Sequence, residues 1–250
     1  MNNKQLLIYS DPSALADAVA QHIVDRARTA VDAHGHFTIG LSGGSTPRAV
    51  YERLARPALS DQMPWSKTYV FWSDERAVPR DDERSNYRMV DEALLKHVPL
   101  PKEHIKPILT QEHDLEAAAQ HYARVVQCFV PGSPPRFDLL LLGMGPDGHT
   151  LSLFPHSPAL DAGDALVVAT PVASQPPHVR RISFTTRLAN AAAEALMLVA
   201  GADKAAMVRA VLEGPAQPDQ LPAQRISLTN GMLTWMLDQA AAQELQQTYE

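Results

Sequence analysis

Residues 137–150 constrain the fold of this chain more than any other segment. Residues 139–142 are four consecutive leucines, and Gly143, Gly145 and Gly148 follow closely. An apolar run without polar alternation is typical of a strand in a parallel sheet that is covered on both faces. Glycines let the backbone turn sharply and approach a ligand closely. Open α/β sheets hold their active sites beyond the carboxyl ends of their strands, so this segment also predicts the active site.

The remainder of the chain alternates between predicted strands and predicted helices. Strands are expected at 5–9, 37–41, 67–72, 105–109, 165–169, 181–185 and 195–200, and residues 226–228 precede a last helix. That last helix is expected to carry five apolar residues at core spacing: Leu233, Met236, Leu237, Ala240 and Leu245. Another helix is expected to begin after Asp11-Pro12, to end at Gly35 and to bury one apolar stripe.

This alternation predicts an α/β fold, a single doubly wound domain with a mostly parallel sheet and helices on both faces. No repeat or long linker divides the chain, so one domain is expected over residues 1–250, with room for a small lobe between Pro155 and Pro177. Within it, the helix that holds Leu115 and Ala119 is expected to bury Phe129, and Ser85 is expected to cap another helix.

Composition excludes several classes of protein. The formal net charge is -6, whereas a nucleic-acid-binding protein is expected to carry a basic face. The single Cys128 excludes an intramolecular disulfide and a cysteine-based metal cage. Residues 1–10 do not resemble a signal peptide, and no apolar run approaches the length of a membrane span. A cytoplasmic protein without nucleic-acid or membrane partners is therefore expected.

Four loops that follow predicted strands carry polar or glycine-rich chemistry: 42–47, 73–76, 143–150 and 201–204. The carboxyl ends of parallel strands share one edge, so these loops are expected to form one site. The first loop places Gly43, Gly44, Ser45 and Thr46 at the start of a helix, an arrangement that suits a phosphate. An ordinary tight turn would also explain it.

The other three loops supply charged side chains. Arg76 offers a bidentate fork for an anion, although Asp74, Glu75 and Arg76 together could equally be a solvated cluster of surface charges. His149 beside Asp147 offers a base and a carboxylate that could orient it, and no second ligand at suitable spacing indicates a metal.

Three further basic residues remain open to two interpretations. Lys204 could bind an anion or be a surface lysine in a first helical turn. Arg180 and Arg181 could reach the site or simply lie at the edge of a strand. The sequence does not distinguish these alternatives.

The spacing of Gly143, Gly145 and Gly148 also matches the dinucleotide-binding fingerprint. That fingerprint requires a helix that opens at the third glycine and an acid about 20 residues further on. Pro155 would end such a helix within two turns, and the run 165–169 has no acid at its tip. A nicotinamide-dependent dehydrogenase is therefore disfavoured.

Six motifs in order resemble the glucosamine-6-phosphate isomerase/6-phosphogluconolactonase superfamily. They are LSGGSTP at 41–47, WSDER at 72–76, SNY at 85–87, GMGPDGHT with SLFP at 143–155, RISFT at 181–185 and GADK at 201–204. The resemblance to its lactonase branch implies hydrolysis of 6-phosphoglucono-δ-lactone without a metal or organic cofactor. It also implies His149 as catalytic base with Asp147 beside it.

The same resemblance implies the phosphate ligands and leaves a rival. Gly43, Gly44, Ser45 and Thr46 would bind the substrate phosphate with Arg76, Lys204 and Arg181, and Asp74 would lie in the site.

Glucosamine-6-phosphate deaminases carry a glutamate five residues after the histidine, where this chain has Phe154. This difference favours the lactonase, although Asp74 matches the deaminase base. A non-catalytic sugar-phosphate-binding protein is a further alternative, and either a monomer or a homodimer is compatible with the sequence.

Overall fold

The computed structural model describes residues 4–110 and 114–247. Its strands are β1 Lys4–Tyr9, β2 Phe37–Leu41, β3 Thr68–Trp72, β4 Asp74–Arg76, β5 Ile105–Lys106, β6 Leu139–Gly143, β7 Val167–Thr170, β8 Arg181–Phe184, β9 Glu194–Val199 and β10 Met232–Asp238. Its helices are α1 Pro12–His34, α2 Ser45–Leu54, α3 Pro57–Ser60, α4 Asn86–Ala93, α5 Leu115–Phe129, α6 Thr186–Asn190, α7 Ala205–Glu213 and α8 Gln239–Ala242.

Seven parallel strands form the central sheet in the order β1-β10-β9-β6-β2-β3-β5. Every residue of β2 and β9 is buried, as are the four leucines of β6, because helices cover the sheet. The predicted fold, a doubly wound and mostly parallel sheet with helices on both faces, is confirmed. The sheet also follows the rule that uninterrupted apolar strands lie in covered parallel sheets.

Capping residues set the ends of the long first helix, as the sequence predicts. Asp11 Oδ1 accepts hydrogen bonds from the backbone N–H groups of Ser13 and Ala14, both at 2.9 Å, and Pro12 occupies the first turn. At the other end, Gly35 adopts φ 85°, a left-handed conformation that glycine reaches without strain. Ser85 likewise caps α4 by accepting from the Arg88 N–H at 3.3 Å.

The predicted helix near the carboxyl terminus is wrong. Residues 232–238 form strand β10, which pairs with β1 on one side and β9 on the other, and α8 covers only Gln239–Ala242. Leu233, Met236 and Leu237 are buried as predicted, but so are the residues between them. A short, largely apolar run fits a buried strand and a buried helix equally well by periodicity, and here pairing with both neighbours selects the strand.

Three of the strands lie outside the parallel sheet. β4, β8 and β7 form a separate antiparallel sheet, with Asp74 opposite Ser183 and Arg76 opposite Arg181. The predicted strands 165–169 and 181–185 therefore exist but do not join the central sheet. Their connection, residues 171–180, contains no helix that could carry the chain across to a parallel neighbour.

Smaller departures lie at the far edge of the central sheet. The sequence predicts that Phe129 is buried, but it lies at the end of α5 and is 41% exposed. The Lys106 Nζ lies over its ring, 3.5 Å from the ring centroid. The strand predicted at 105–109 pairs only over Ile105–Lys106. No helix in residues 4–110 and 114–247 is long and apolar enough to cross a membrane.

The order of the strands fixes where a site can form. From β2 the chain proceeds through β3 and β5 to one edge, whereas from β6 it proceeds through β9 and β10 towards the other. The neighbours β2 and β6 therefore flank the point where the winding reverses, and a crevice opens there beyond their carboxyl ends.

Candidate functional site

A cavity lies at this reversal point, between the central sheet and the small antiparallel sheet. Its lining residues are Ser42, Gly43, Gly44, Asp74, Arg76, Asn86, Gly143, Met144, Gly145, His149, Leu151 and Arg181. Three of the four predicted loops thus meet at one cavity. Six predicted site residues line it: Gly43, Gly44, Asp74, Arg76, His149 and Arg181.

Four predicted site residues lie outside the lining. Ser45 and Thr46 form the first turn of α2, directly after the lining glycines. Asp147 contacts His149 without lining the cavity itself. Lys204 follows β9 at the same edge of the sheet, and its Nζ lies 3.5 Å from a carboxylate oxygen of Asp203. The loop 201–204 therefore contributes no residue to the cavity wall.

Three contacts with Asp147 and Gly145 hold His149 in place. Its Nδ1 lies 2.5 Å from Asp147 Oδ1, and its backbone carbonyl accepts from the Gly145 N–H at 2.8 Å. The tight turn between them needs Gly148 at φ 78°, where a side chain would be strained. An added Cβ on Gly145 would lie only 2.1 Å from the imidazole ring, so the ring packs directly on this glycine backbone.

The ionisation of Asp147 suits a carboxylate that orients a histidine base. Burial alone would raise the pKa of Asp147, but the hydrogen bond and charge of His149 outweigh burial and leave the pKa below its ordinary value. Asp147 is therefore ionised at neutral pH. A carboxylate at Nδ1 leaves Nε2 as the nitrogen available to accept a proton.

Two arginines face each other across the small sheet. Arg76 and Arg181 are register partners on β4 and β8, and Arg181 is only 3% exposed. Both side chains carry a buried Nε that has no hydrogen-bond partner among the described residues. Burial lowers the pKa of Arg181, although an arginine remains charged. Buried cationic donors without partners on a cavity wall suit an anionic ligand.

Arg180, by contrast, points away from the cavity. Its guanidinium pairs with Glu116, and its Nε donates to the Thr170 carbonyl at 3.1 Å. Successive side chains of a strand point to opposite faces, which explains why one of the two arginines lines the cavity and the other does not. The alternative that the sequence left open is thereby resolved in favour of Arg181.

Asp74 is buried on the cavity wall and is engaged by neighbouring donors. Its Oδ2 accepts from Ser152 Oγ at 2.6 Å, and Asn86 Nδ2 donates to its backbone carbonyl at 3.0 Å. The segment 74–76 is therefore not a solvated surface cluster. It is held in place by buried hydrogen bonds.

Glu75 has a structural function that the sequence did not reveal. Its carboxylate accepts from the backbone N–H groups of Arg76, Asn86 and Tyr87 at 2.7–2.8 Å, which ties β4 to the first turn of α4. Burial raises the pKa of Glu75 despite these hydrogen bonds. The contact fixes Asn86 against the cavity.

Sequence reasoning missed Asn86 and Leu151 as lining residues. Asn86 belongs to the SNY motif at 85–87, but an asparagine next to a helix cap is common in any helix and did not indicate a site residue. Leu151 adopts φ 56°, a left-handed conformation that is uncommon for a leucine. No sequence pattern predicts this conformation. Asn86 comes to the cavity through its contacts with β4, whereas Leu151 follows His149 by two residues in the chain.

The structure also bears on the dinucleotide and metal sites that the sequence disfavours. The residues after Gly148 form turns rather than a helix, so the dinucleotide fingerprint lacks its helix. Within the two described ranges, no three His, Cys, Asp or Glu side chains are grouped to hold a metal ion.

Comparison with known proteins gives the same family as the motifs. The model for glucosamine-6-phosphate isomerases/6-phosphogluconolactonase matches residues 10–235. A 6-phosphogluconolactonase from Synechocystis is 42% identical over 97% of this chain and 95% of its own length. The solved structure of 6-phosphogluconolactonase from Trypanosoma brucei is 28% identical, with a TM-score of 0.84 over 98% of this chain and 100% of that one.

A monomeric glucosamine-6-phosphate deaminase is only 19% identical, yet it superposes with a TM-score of 0.82 over 96% of this chain and 100% of that one, which shows a shared fold alone. The family model spans most of the chain, and the Synechocystis relative is similar over nearly its whole length. This chain therefore belongs to the glucosamine-6-phosphate isomerase/6-phosphogluconolactonase family.

Proposed function

We propose that this chain is a 6-phosphogluconolactonase, a carboxylic ester hydrolase that converts 6-phospho-D-glucono-1,5-lactone to 6-phospho-D-gluconate in the oxidative pentose phosphate pathway. The observation that carries the proposal is the shared cavity: His149, oriented by Asp147, lines it together with Arg76 and Arg181. The names of similar proteins, such as the Synechocystis relative, support the same reaction.

In the proposed complex, the phosphate is anchored by residues 42–46 with Arg76, Arg181 and Lys204. Gly44 precedes α2 without a side-chain cap, so the first N–H groups of that helix are available to an anion. Anchoring one end of the sugar positions the lactone carbonyl, at the other end, against His149. Binding energy from the phosphate then contributes to orientation at the reacting centre.

His149 acts as the general base in the proposed reaction. Its Nε2 removes a proton from water while the water oxygen bonds to the carbonyl carbon, which gives a tetrahedral oxyanion. Backbone N–H groups or Arg76 stabilise that oxyanion. When the carbonyl re-forms, the bond to the ring oxygen breaks, and the imidazolium returns its proton to that oxygen. Asp147 stabilises the imidazolium throughout.

One feature favours this reaction over deamination of glucosamine 6-phosphate. The position of the deaminase glutamate holds Phe154, which cannot relay a proton. Asp74 matches the deaminase base and accepts a hydrogen bond from Ser152 at 2.6 Å, so the distinction depends on residue 154. A cytoplasmic location and a monomeric or homodimeric state remain predictions from the sequence.

The test is release of 6-phosphogluconate from freshly prepared 6-phosphoglucono-δ-lactone, compared with spontaneous hydrolysis. His149→Ala should lower kcat by about 10²–10⁴-fold while it leaves affinity for phosphate nearly unchanged. His121→Ala, an exposed histidine on α5, is the matched control. Wild-type turnover in His149→Ala would contradict its assignment, and turnover of glucosamine 6-phosphate in place of the lactone would contradict the reaction.

Lys204→Ala separates anchoring from chemistry. An anchoring lysine should mainly raise KM, because the phosphate is bound in the ground state and in the transition state alike. A loss confined to kcat would contradict the anchoring role.

A further inference from the structure

Phe154 is buried beside the site without lining it. Only 5% of its surface is exposed, yet it does not belong to the contiguous apolar core that most other buried apolar side chains of the described residues form. The main core therefore does not explain why an aromatic ring is buried at this position.

A local reversal of the chain brings Phe154 back against His149. Leu151 adopts φ 56°, the Leu153 N–H donates to the Thr150 carbonyl at 3.0 Å, and Thr150 and Leu153 form an isolated antiparallel bridge. As a result the rings of Phe154 and His149 lie with centroids 4.4 Å apart and planes tilted by 38°. The Asp147 hydrogen bond fixes one nitrogen of the imidazole, and contact with this ring restricts the orientation of the imidazole plane.

Phe154 also contacts the buried arginine. The guanidinium carbon of Arg181 lies 5.0 Å from the centroid of the ring. The remaining contacts of this guanidinium are long, at 3.3–3.5 Å from Nη2 to the carbonyls of residues 175–177, and its Nε has no partner among the described residues. The aromatic ring is therefore a principal partner of this cation.

An aromatic ring can contact both the imidazole and the guanidinium without using their hydrogen-bonding atoms. A cation over an aromatic face is attracted to the ring quadrupole, which leaves the N–H donors of the guanidinium free for an anion. A carboxylate at this position would instead accept those donors and would stabilise the protonated imidazole. The ring keeps Arg181 available to an anion and Nε2 of His149 available to a proton.

We propose that Phe154 is a positioning residue whose ring contacts and restrains both the His149 imidazole and the Arg181 guanidinium and leaves Nε2 of His149 and Nε of Arg181 free for the substrate. This role rests on the proposed function, in which His149 is the base and Arg181 binds the anion. Phe154 acts only through these two side chains, since it does not line the cavity.

Phe154→Leu tests the proposal because leucine fills apolar space but has no aromatic face. The dissociation constant for inorganic phosphate should rise by about tenfold, because a guanidinium that the ring no longer restrains must be ordered when the anion binds. The carbon-bound proton signals of the His149 imidazole, assigned by NMR with His149→Ala, should lose their ring-current shift. Phe154→Tyr, which retains the ring, should restore both.

Phe137→Leu is the matched control, because Phe137 is equally buried but packs against Phe71 and Phe184 in the main core. It should change neither readout in the folded protein. The proposal stands only if Phe154→Leu changes both the His149 signals and phosphate binding, and any other result overturns it. Neither readout depends on lactone turnover, so failure of the wild type to hydrolyse the lactone would refute the proposed function separately.

Discussion

Gly145→Ala is the perturbation that most directly tests the assignment of His149. The Cβ of an alanine here would lie 2.1 Å from both Cε1 and Nδ1 of the imidazole and 2.9 Å from Asp147 Oδ1. Gly145 does not require a positive φ, so the added methyl group acts through its volume rather than through backbone strain.

The size of the effect follows from the distances. To restore an ordinary contact of roughly 3.4 Å, the imidazole must retreat by roughly 1.3 Å, which also breaks its hydrogen bond to Asp147. A displacement of about 1 Å at a reacting group can lower the rate by about 10²-fold, equivalent to about 2.7 kcal/mol of transition-state stabilisation. We therefore expect kcat to fall by about 10²-fold, with a small change in KM, because the anchoring groups are elsewhere.

The assay is steady-state hydrolysis of 6-phosphoglucono-δ-lactone, corrected for spontaneous hydrolysis, with stability measured in parallel by urea unfolding. Gly163→Ala is the control: its φ of 57° makes alanine unfavourable, but nothing lies within 4 Å of the added Cβ and the site is untouched. It should cost about 1 kcal/mol of stability without altering kcat. A wild-type kcat in a folded Gly145→Ala protein would refute the role of His149 as the general base.

Three further outcomes are expected. Arg181→Lys keeps the charge but loses the planar fork, so KM should rise by about tenfold in the same assay. Ser152→Ala removes the hydroxyl that donates to Asp74, and urea unfolding should show a loss of about 1–3 kcal/mol; an unchanged midpoint would contradict that contact. Because the folded pKa of Asp147 lies below its unfolded value, its contribution to stability is complete above the unfolded pKa and is lost as the pH falls through the folded one. The stability gap between wild type and Asp147→Asn should therefore be full at neutral pH and narrow only as the pH falls below the unfolded pKa, and a gap that stays constant there would exclude a charge effect.

Most strands of the central sheet could be predicted because their signals are local. Four consecutive leucines in β6, and the residues that cap α1 at Asp11 and Gly35, determine backbone conformation within a few residues of themselves. β10 could not be predicted in this way, because its apolar run suits a buried helix or a buried strand, and only pairing with β1 and β9 decides between them.

The sequence by itself determined the fold class, the position of the glycine turn that carries His149, and the family, because each can be recognised from short segments of contiguous residues and from the order of those segments. Only the tertiary structure decided that Arg181 rather than Arg180 lines the cavity, that Asn86 and Leu151 line it, and that Phe154 contacts both an imidazole and a guanidinium. The physical reason is that Arg181 reaches the site through antiparallel pairing with Arg76, which lies far from it in the chain. Such a contact depends on which strands pair and in which register, and no local pattern of residues specifies either.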